Sequence, residues 1–183
     1  MQFLESGGRA FFANAGGTRS RGVEAGLVVS PRPGVELRGA WTRAAYRFAD
    51  YAVPSAALPA PARDTLDGNR LAGVPRTTVR LGARFTRGAV ALDADHTLQS
   101  ALWADDRNAV RVPGWGRGQL HVRASWSGVL YAHPVEPFLA VQNAMDQRYV
   151  GAVTVNGAFG RVFEPAPPRT WYAGLELGVP LRR

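Results

Sequence analysis

The residues with catalytic or metal-binding potential are few, and their spacing works against them. Asp93, Asp95 and His96 are close enough in sequence to form a metal cluster. In an extended segment, however, successive side chains leave opposite faces, so His96 points away from both aspartates. His121 lies between Gln119 and Arg123 on a polar face, His133 lies in a turn, and neither has helical i, i+4 spacing or a cysteine partner. Ser100, Ser125 and Ser127 lack an evident base and orienter. No glycine cluster opens a helix after a strand, as a phosphate loop requires. Neither an enzyme, nor a metal site, nor a cofactor is expected. Recognition by aromatic and arginine side chains is the chemistry that remains.

All 22 cations are arginine, against 14 acidic residues, for a net charge of +8. They are scattered, many at alternate positions of extended segments such as Arg80 and Arg84. That places them on the polar face of a sheet instead of a phosphate track, so nucleic acid is not an expected partner. Cysteine is absent, which removes disulfides and thiolate chemistry together. With 183 residues, 46% apolar and 20% charged, the chain is a folded domain or a piece of a larger one. No run approaches the ~18 apolar residues of a membrane helix. The N-terminus lacks the cationic and apolar regions of a secretory signal.

The elements that would position any binding residues have period two almost throughout, so the chain reads as all-β. Strands are expected over 22–30, 35–46, 77–85, 90–102, 119–126, 137–143 and 171–179, seven in all. In 77–85, Val79, Leu81, Ala83 and Phe85 oppose Thr78, Arg80, Gly82 and Arg84. In 119–126, Leu120 and Val122 oppose His121 and Arg123, and in 171–179 Leu175 and Leu177 oppose Glu176. The connections alternate between short (31–34, 86–88, 127–134) and longer (47–75, 104–118, 144–169). That alternation is the signature of a transmembrane β-barrel, with short turns at one rim and long loops at the other. Trp41, Phe85, Trp103, Trp126, Tyr131, Tyr149, Trp171 and Tyr172 fall at or near strand ends, where interfacial girdles sit. The expected architecture is an antiparallel up-and-down meander, a partial and open barrel. Residues 1–14 leave room for an eighth strand.

Four segments resemble one family. Asn14-Ala15-Gly16 leading to Arg21-Gly22-Val23-Glu24, and Gly68-Asn69-Arg70-Leu71-Ala72-Gly73-Val74-Pro75, are similar to strand approaches of TonB-dependent outer-membrane receptors. So are Val141-Gln142-Asn143-Ala144-Met145-Asp146-Gln147-Arg148-Tyr149 and Gly160-Arg161-Val162-Phe163-Glu164-Pro165-Ala166-Pro167. The resemblance implies the C-terminal part of a barrel of about 22 strands. The family's plug domain and its TonB-contacting box have no counterpart in the chain, which ends at Arg183 instead of the usual aromatic residue. It also implies a Gram-negative outer-membrane location, lipid around the barrel, TonB acting through the N-terminal region, and uptake of a ferric siderophore or similar chelate.

Gly22, Glu24, Gly68, Asn69, Pro75, Asn143, Asp146, Tyr149, Arg161 and Pro165 then read as structural motif residues. The glycines suit tight backbone, and Asn143 and Asp146 suit bonds to nearby backbone at a strand top. The loop candidates for holding an aromatic, anionic chelate by stacking and charge are Tyr46, Phe48, Tyr51, Trp103, Trp115, Arg117 and Arg161. Two other readings stand beside this one. They are a small stand-alone outer-membrane barrel with a structural or adhesive role, and a soluble β-sandwich binding module.

Overall fold

The computed structural model describes residues 2–6, 9–13, 16–54, 63–130, 133–157 and 162–178, without the side chains of 2–13, 115–122 and 130. The chain starts with a hairpin of β1 (Gln2–Ser6) and β2 (Arg9–Ala13), which pair only with each other among the described residues. They form a separate two-stranded sheet and add no eighth strand to the large one.

Next come β3 (Thr18–Arg32) and β4 (Val35–Phe48), then a small hairpin of β5 (Ala52–Pro54) and β6 (Arg63–Thr65). β7 (Thr77–Arg87) and β8 (Val90–Gln99) follow, then the two-residue strands β9 (Leu102–Trp103) and β10 (Arg111–Val112). β11 (Trp115–Trp126), β12 (Gly128–Leu130) and β13 (His133–Gln142) lead to the hairpin of β14 (Val150–Val153) and β15 (Phe163–Pro165). β16 (Thr170–Leu177) comes last.

The large sheet is an antiparallel meander in the order β3-β4-β7-β8-β11-β13-β16, with β12 on β13. The pairs Val122↔Val141, Ser125↔Phe138, Gly128↔Val135 and Leu130↔His133 share one register, so β12 continues β11. The ladder lapses opposite Pro137, which has no N–H to donate. The wall therefore has seven passes, as the alternation implied. β3 and β16 each have one partner among the described residues, which leaves two open edges.

Several expected boundaries were wrong. Residues 115–118, 128–130 and 133–134 were expected in connections but are strand, because backbone pairing carries on past the point where side-chain alternation fades. Conversely, β8 stops at Gln99, three residues short of the expected 102. The entrance to β11 holds a bulge, with Trp115 opposite Gln99 and Gln119 already opposite Thr97.

The short rim follows from turn chemistry. Pro33-Gly34 joins Arg32 to its partner Val35 with Gly34 at φ +78°, the left-handed second position that a type II turn demands. Gly88, at φ +59°, closes the two-residue turn between Arg87 and Val90.

Residues directly opposite on neighbouring strands share a face, so the register assigns both surfaces. Val29, Leu37, Ala83, Ala94, Val141 and Trp171 form one row, and Val35, Phe85, Leu92, Ala124, Leu139 and Ala173 the next. Val79, Leu81, Leu175 and Leu177 belong to the same apolar surface. Leu120 and Val122 hold its register positions opposite His96 and Ala94. Arg80, Arg84, Arg123 and Glu176 occupy the other surface, and His121 holds a register position there opposite Asp95.

The apolar surface is uncovered: Leu27 is 66% exposed and Leu177 64%, and no large side chain is fully buried among the described residues. An uncovered sheet face of this extent is not that of a water-soluble sandwich, which would bury it against a second sheet. In a bilayer the same face is satisfied by lipid, while the backbone bonds internally, strand to strand.

Candidate ligand-binding mouth and lumen face

The polar surface carries a ladder of matched charges. Arg38 lies 3.3 Å from Glu36 and 3.7 Å from Asp95, and Arg84 lies 3.8 Å from Asp93, its direct partner across the β7–β8 pair. Arg123 Nη2 reaches across β13 to Glu176 at 2.5 Å and also meets Glu136 at 3.4 Å. Its guanidinium sits 4.0 Å from the centroid of the Phe138 ring. These side chains are partly exposed, so each pair contributes at most about 1 kcal/mol.

Arg84, Asp93, Asp95, Arg123, Glu136 and Glu176, with Ser125 and Tyr172, line a concavity of ≈ 370 Å³. His96 stands opposite Leu81 on the apolar surface, away from both aspartates. Phe138 lies over Gly174, where an added Cβ would fall 2.6 Å from the ring Cε1. Gly174→Val is expected to expel the ring and free Arg123, at a cost of about 1–3 kcal/mol. Urea titration in micelles would measure it, and Phe138→Ala in the same background should relieve most of the cost.

At the opposite end from the tight turns, the three long connections fold onto one another. Each contains its own hairpin, and two small cores hold them. Phe48, Tyr51 and Leu66 pack with Val53 and Leu71, while Leu102, Ala104, Val112 and Val162 pack with Val150 and Val153.

Asparagines tie the connections together. Asn108 accepts from Arg70 N and donates to Arg70 O, both at 2.8 Å. Asn156 accepts from Asp106 N at 3.0 Å and donates to its carboxylate at 2.8 Å. Gly73 N donates to Trp103 O at 2.7 Å, and Arg107 pairs with Asp64 and donates to Pro54 O at 3.0 Å. Asn108 and Asn156 adopt positive φ (57° and 55°), where asparagine pays less than other L-residues. These ties escaped sequence reading. The available signal was asparagine within short polar turns.

The expected loop candidates fare differently. Tyr46 ends the polar row of β4 and is 38% exposed. Phe48 and Tyr51 are only 6% and 5% exposed, their rings 4.5 Å apart. The proposal that they offer ring faces to a ligand is therefore corrected: they pack with Leu66, Val53 and Leu71 as loop core. Burial pushes the Tyr51 phenol above the ordinary tyrosine range, and the Asp106 charge adds to this; burial alone raises Tyr149. Trp103 is half-buried in β9. Trp115 and Arg117 lie on the bulged start of β11 with side chains outside the described residues, and Arg161 is outside them altogether.

Among the motif positions, an added Cβ at Gly22 would approach Ala44 Cβ to 2.9 Å. Glu24 pairs with Thr42 on the polar surface. Gly68 has φ +83°, and its N–H bonds Phe48 O at 2.9 Å. Asn69 donates to Asp106 O at 3.0 Å, and Pro75 is half-buried just ahead of β7. Tyr149 O accepts from Ala166 N at 3.0 Å, and Pro165 pairs with Val150. Asn143 Oδ1 accepts from Gln147 N at 2.9 Å, and its Nδ2 donates to Gln147 O and Pro167 O. Asp146 accepts from Arg169 N at 3.0 Å. Both fasten the approach to β16.

A family model described as TonB dependent receptor-like, beta-barrel, matches residues 2–144. The chain belongs to the TonB-dependent receptor β-barrel family. Solved receptors share the fold. One is BauA, the ferric preacinetobactin receptor from Acinetobacter baumannii, with a TM-score of 0.67 and 22% identity over 95% of this chain and 24% of that one. Another is FyuA, the ferric yersiniabactin uptake receptor from Yersinia pestis, at 0.67 and 20% over 88% of this chain and 24% of that one. The siderophore receptor PiuA from Acinetobacter baumannii gives 0.66 and 16%, over 87% and 21% respectively. The chain thus spans about a quarter of the length of these receptors.

As a TonB-dependent receptor barrel wall it resides in the outer membrane of a Gram-negative bacterium. Its apolar surface is the lipid side, and the charge ladder faces the barrel interior. The family consists of transport receptors, not enzymes.

Proposed function

We propose that residues 1–183 are the C-terminal part of the barrel of a receptor that takes up a ferric siderophore or a similar iron chelate. The observation that carries this reading is the rim itself. Three long connections are cross-tied by Asn69, Asn108 and Asn156 into a mouth directly above a charge-matched polar wall. Tyr46 and Trp103 offer stacking surfaces there, with Trp115 and Arg117 at the start of β11 and Arg161 in the last connection as further candidates. An aromatic, anionic chelate suits stacking and guanidinium pairing together. In the full receptor a plug domain, the remaining barrel strands and TonB complete the transporter.

The test is deletion of the encoding gene in its own bacterium, followed by radiolabelled iron uptake from catecholate, hydroxamate and mixed-ligand chelates. Loss of uptake from one chelate class, restored by the intact gene, is expected. Undiminished uptake from every class would overturn the assignment.

A further inference from the structure

Four arginines stand together on the lipid side of the wall, at the loop end of β3 and β4. On β3 the outward series Val29, Leu27, Ala25 and Val23 continues as Arg21 and Arg19; on β4 Leu37 and Trp41 continue as Arg43 and Arg47. The register sets Ala25 beside Trp41, Val23 beside Arg43, Arg21 beside Ala45 and Arg19 beside Arg47. The surface therefore turns from apolar to cationic within one alternate step of Trp41, about 7 Å. All four side chains are exposed.

The arginines of the opposite face behave differently. Arg38, Arg84 and Arg123 each meet a carboxylate. Among the described residues, Arg19, Arg21 and Arg43 meet none within ion-pair distance, and Arg47 donates to the neutral Gly68 carbonyl. Of the four inward arginines only Arg80 lacks a carboxylate partner among the described residues, whereas none of the four outward ones has one there.

We propose that this patch binds the phosphate groups of anionic lipid headgroups in the leaflet on the long-loop side. Guanidinium forks match phosphate oxygens in bidentate pairs. The arginine stems can lie along the apolar band below while their heads reach the polar layer. Trp41 marks that boundary, as amphipathic rings do at lipid–water interfaces. The patch is continuous with the lipid surface and faces away from the polar wall, so a solute in the barrel interior does not meet it.

The test uses the full 183-residue chain, diluted from denaturant into phosphatidylcholine vesicles and into vesicles with phosphatidylglycerol blended in. Both leaflets carry the anionic lipid, so the direction of insertion does not matter. Flotation gives the ratio of the two partition coefficients. Arg19→Gln, Arg21→Gln and Arg43→Gln combined are expected to lower the ratio by about fivefold per arginine, on the order of 100-fold in total. The corresponding lysine variant should keep most of the preference, and the inward variant Arg80→Gln all of it.

Arg43→Gln alone, with its expected fivefold step, keeps the proposal testable if the triple variant fails to fold. Binding to phosphatidylcholine vesicles reports the barrel wall independently of the patch. An unchanged ratio in the glutamine variants, or an equal fall for Arg80→Gln, would overturn the proposal. So would tight binding of inorganic phosphate in neutral micelles that the triple variant abolishes, which would assign the patch to a soluble anion.

Discussion

Leu81→Arg is expected to impair insertion by about 2–4 kcal/mol, the cost of placing a guanidinium on the lipid side near the middle of the span. Leu81 lies between Val79 and Ala83 in the apolar series of β7, opposite Gly39 and His96, and is 48% exposed in the isolated wall. Its neighbour Arg80 points to the opposite surface, so Arg80→Leu should leave insertion intact. The contrast is the decisive feature, because both substitutions occur at adjacent residues of one strand and both change one charge. Protease protection of each variant after folding into vesicles would measure it. Equal tolerance at the two positions would contradict the facing derived from the register.

The second large effect is expected at the loop rim. Asn143 is 3% exposed and has φ +49°, and its amide serves Gln147 N, Gln147 O and Pro167 O. Asn143→Ala removes those bonds, leaves backbone groups unsatisfied and replaces asparagine with a residue that tolerates the left-handed region less well. A local loss of about 2–4 kcal/mol is expected. It should show as faster amide exchange at the described residues of 144–169, with the β3–β4 hairpin unaffected. Asn143→Gly removes the bonds but relieves the backbone, so it should recover roughly 1 kcal/mol of the loss. Unaltered exchange in the alanine variant would mean that the clamp contributes nothing.

The open edges carry a consequence for the chain by itself. β3 and β16 both run from the long-loop rim to the short one, so pairing them would join parallel strands, while bacterial barrels close antiparallel. Unpaired edge groups are costly in lipid and template association in water. The isolated polypeptide is expected to self-associate in micelles; a compact, heat-modifiable monomer on unheated gels would contradict this.

What the sequence determined by itself were the features set by near neighbours. Strand faces were legible because side-chain alternation is a local consequence of extended backbone, and Val79, Leu81 and Phe85 against Arg80 and Arg84 displays it without reference to any partner. The tight turns were legible because Pro33-Gly34 and Gly88 supply the required φ on the spot. The four family-like segments placed the chain for a similar reason, since each is a short contiguous pattern.

The tertiary structure alone decided everything that depends on which distant residue arrives opposite. Phe48 and Tyr51 read as exposed loop rings from sequence, but Leu66, Val53 and Leu71 pack against them. Asn108 meets Arg70 and Asn156 meets Asp106 across separations of 38 and 50 residues, distances over which local pattern carries no information. The cationic patch has the same origin. Arg19, Arg21, Arg43 and Arg47 alternate unremarkably along their own strands, and only the β3–β4 register gathers them above Trp41 and beyond the reach of any protein carboxylate found among the described residues.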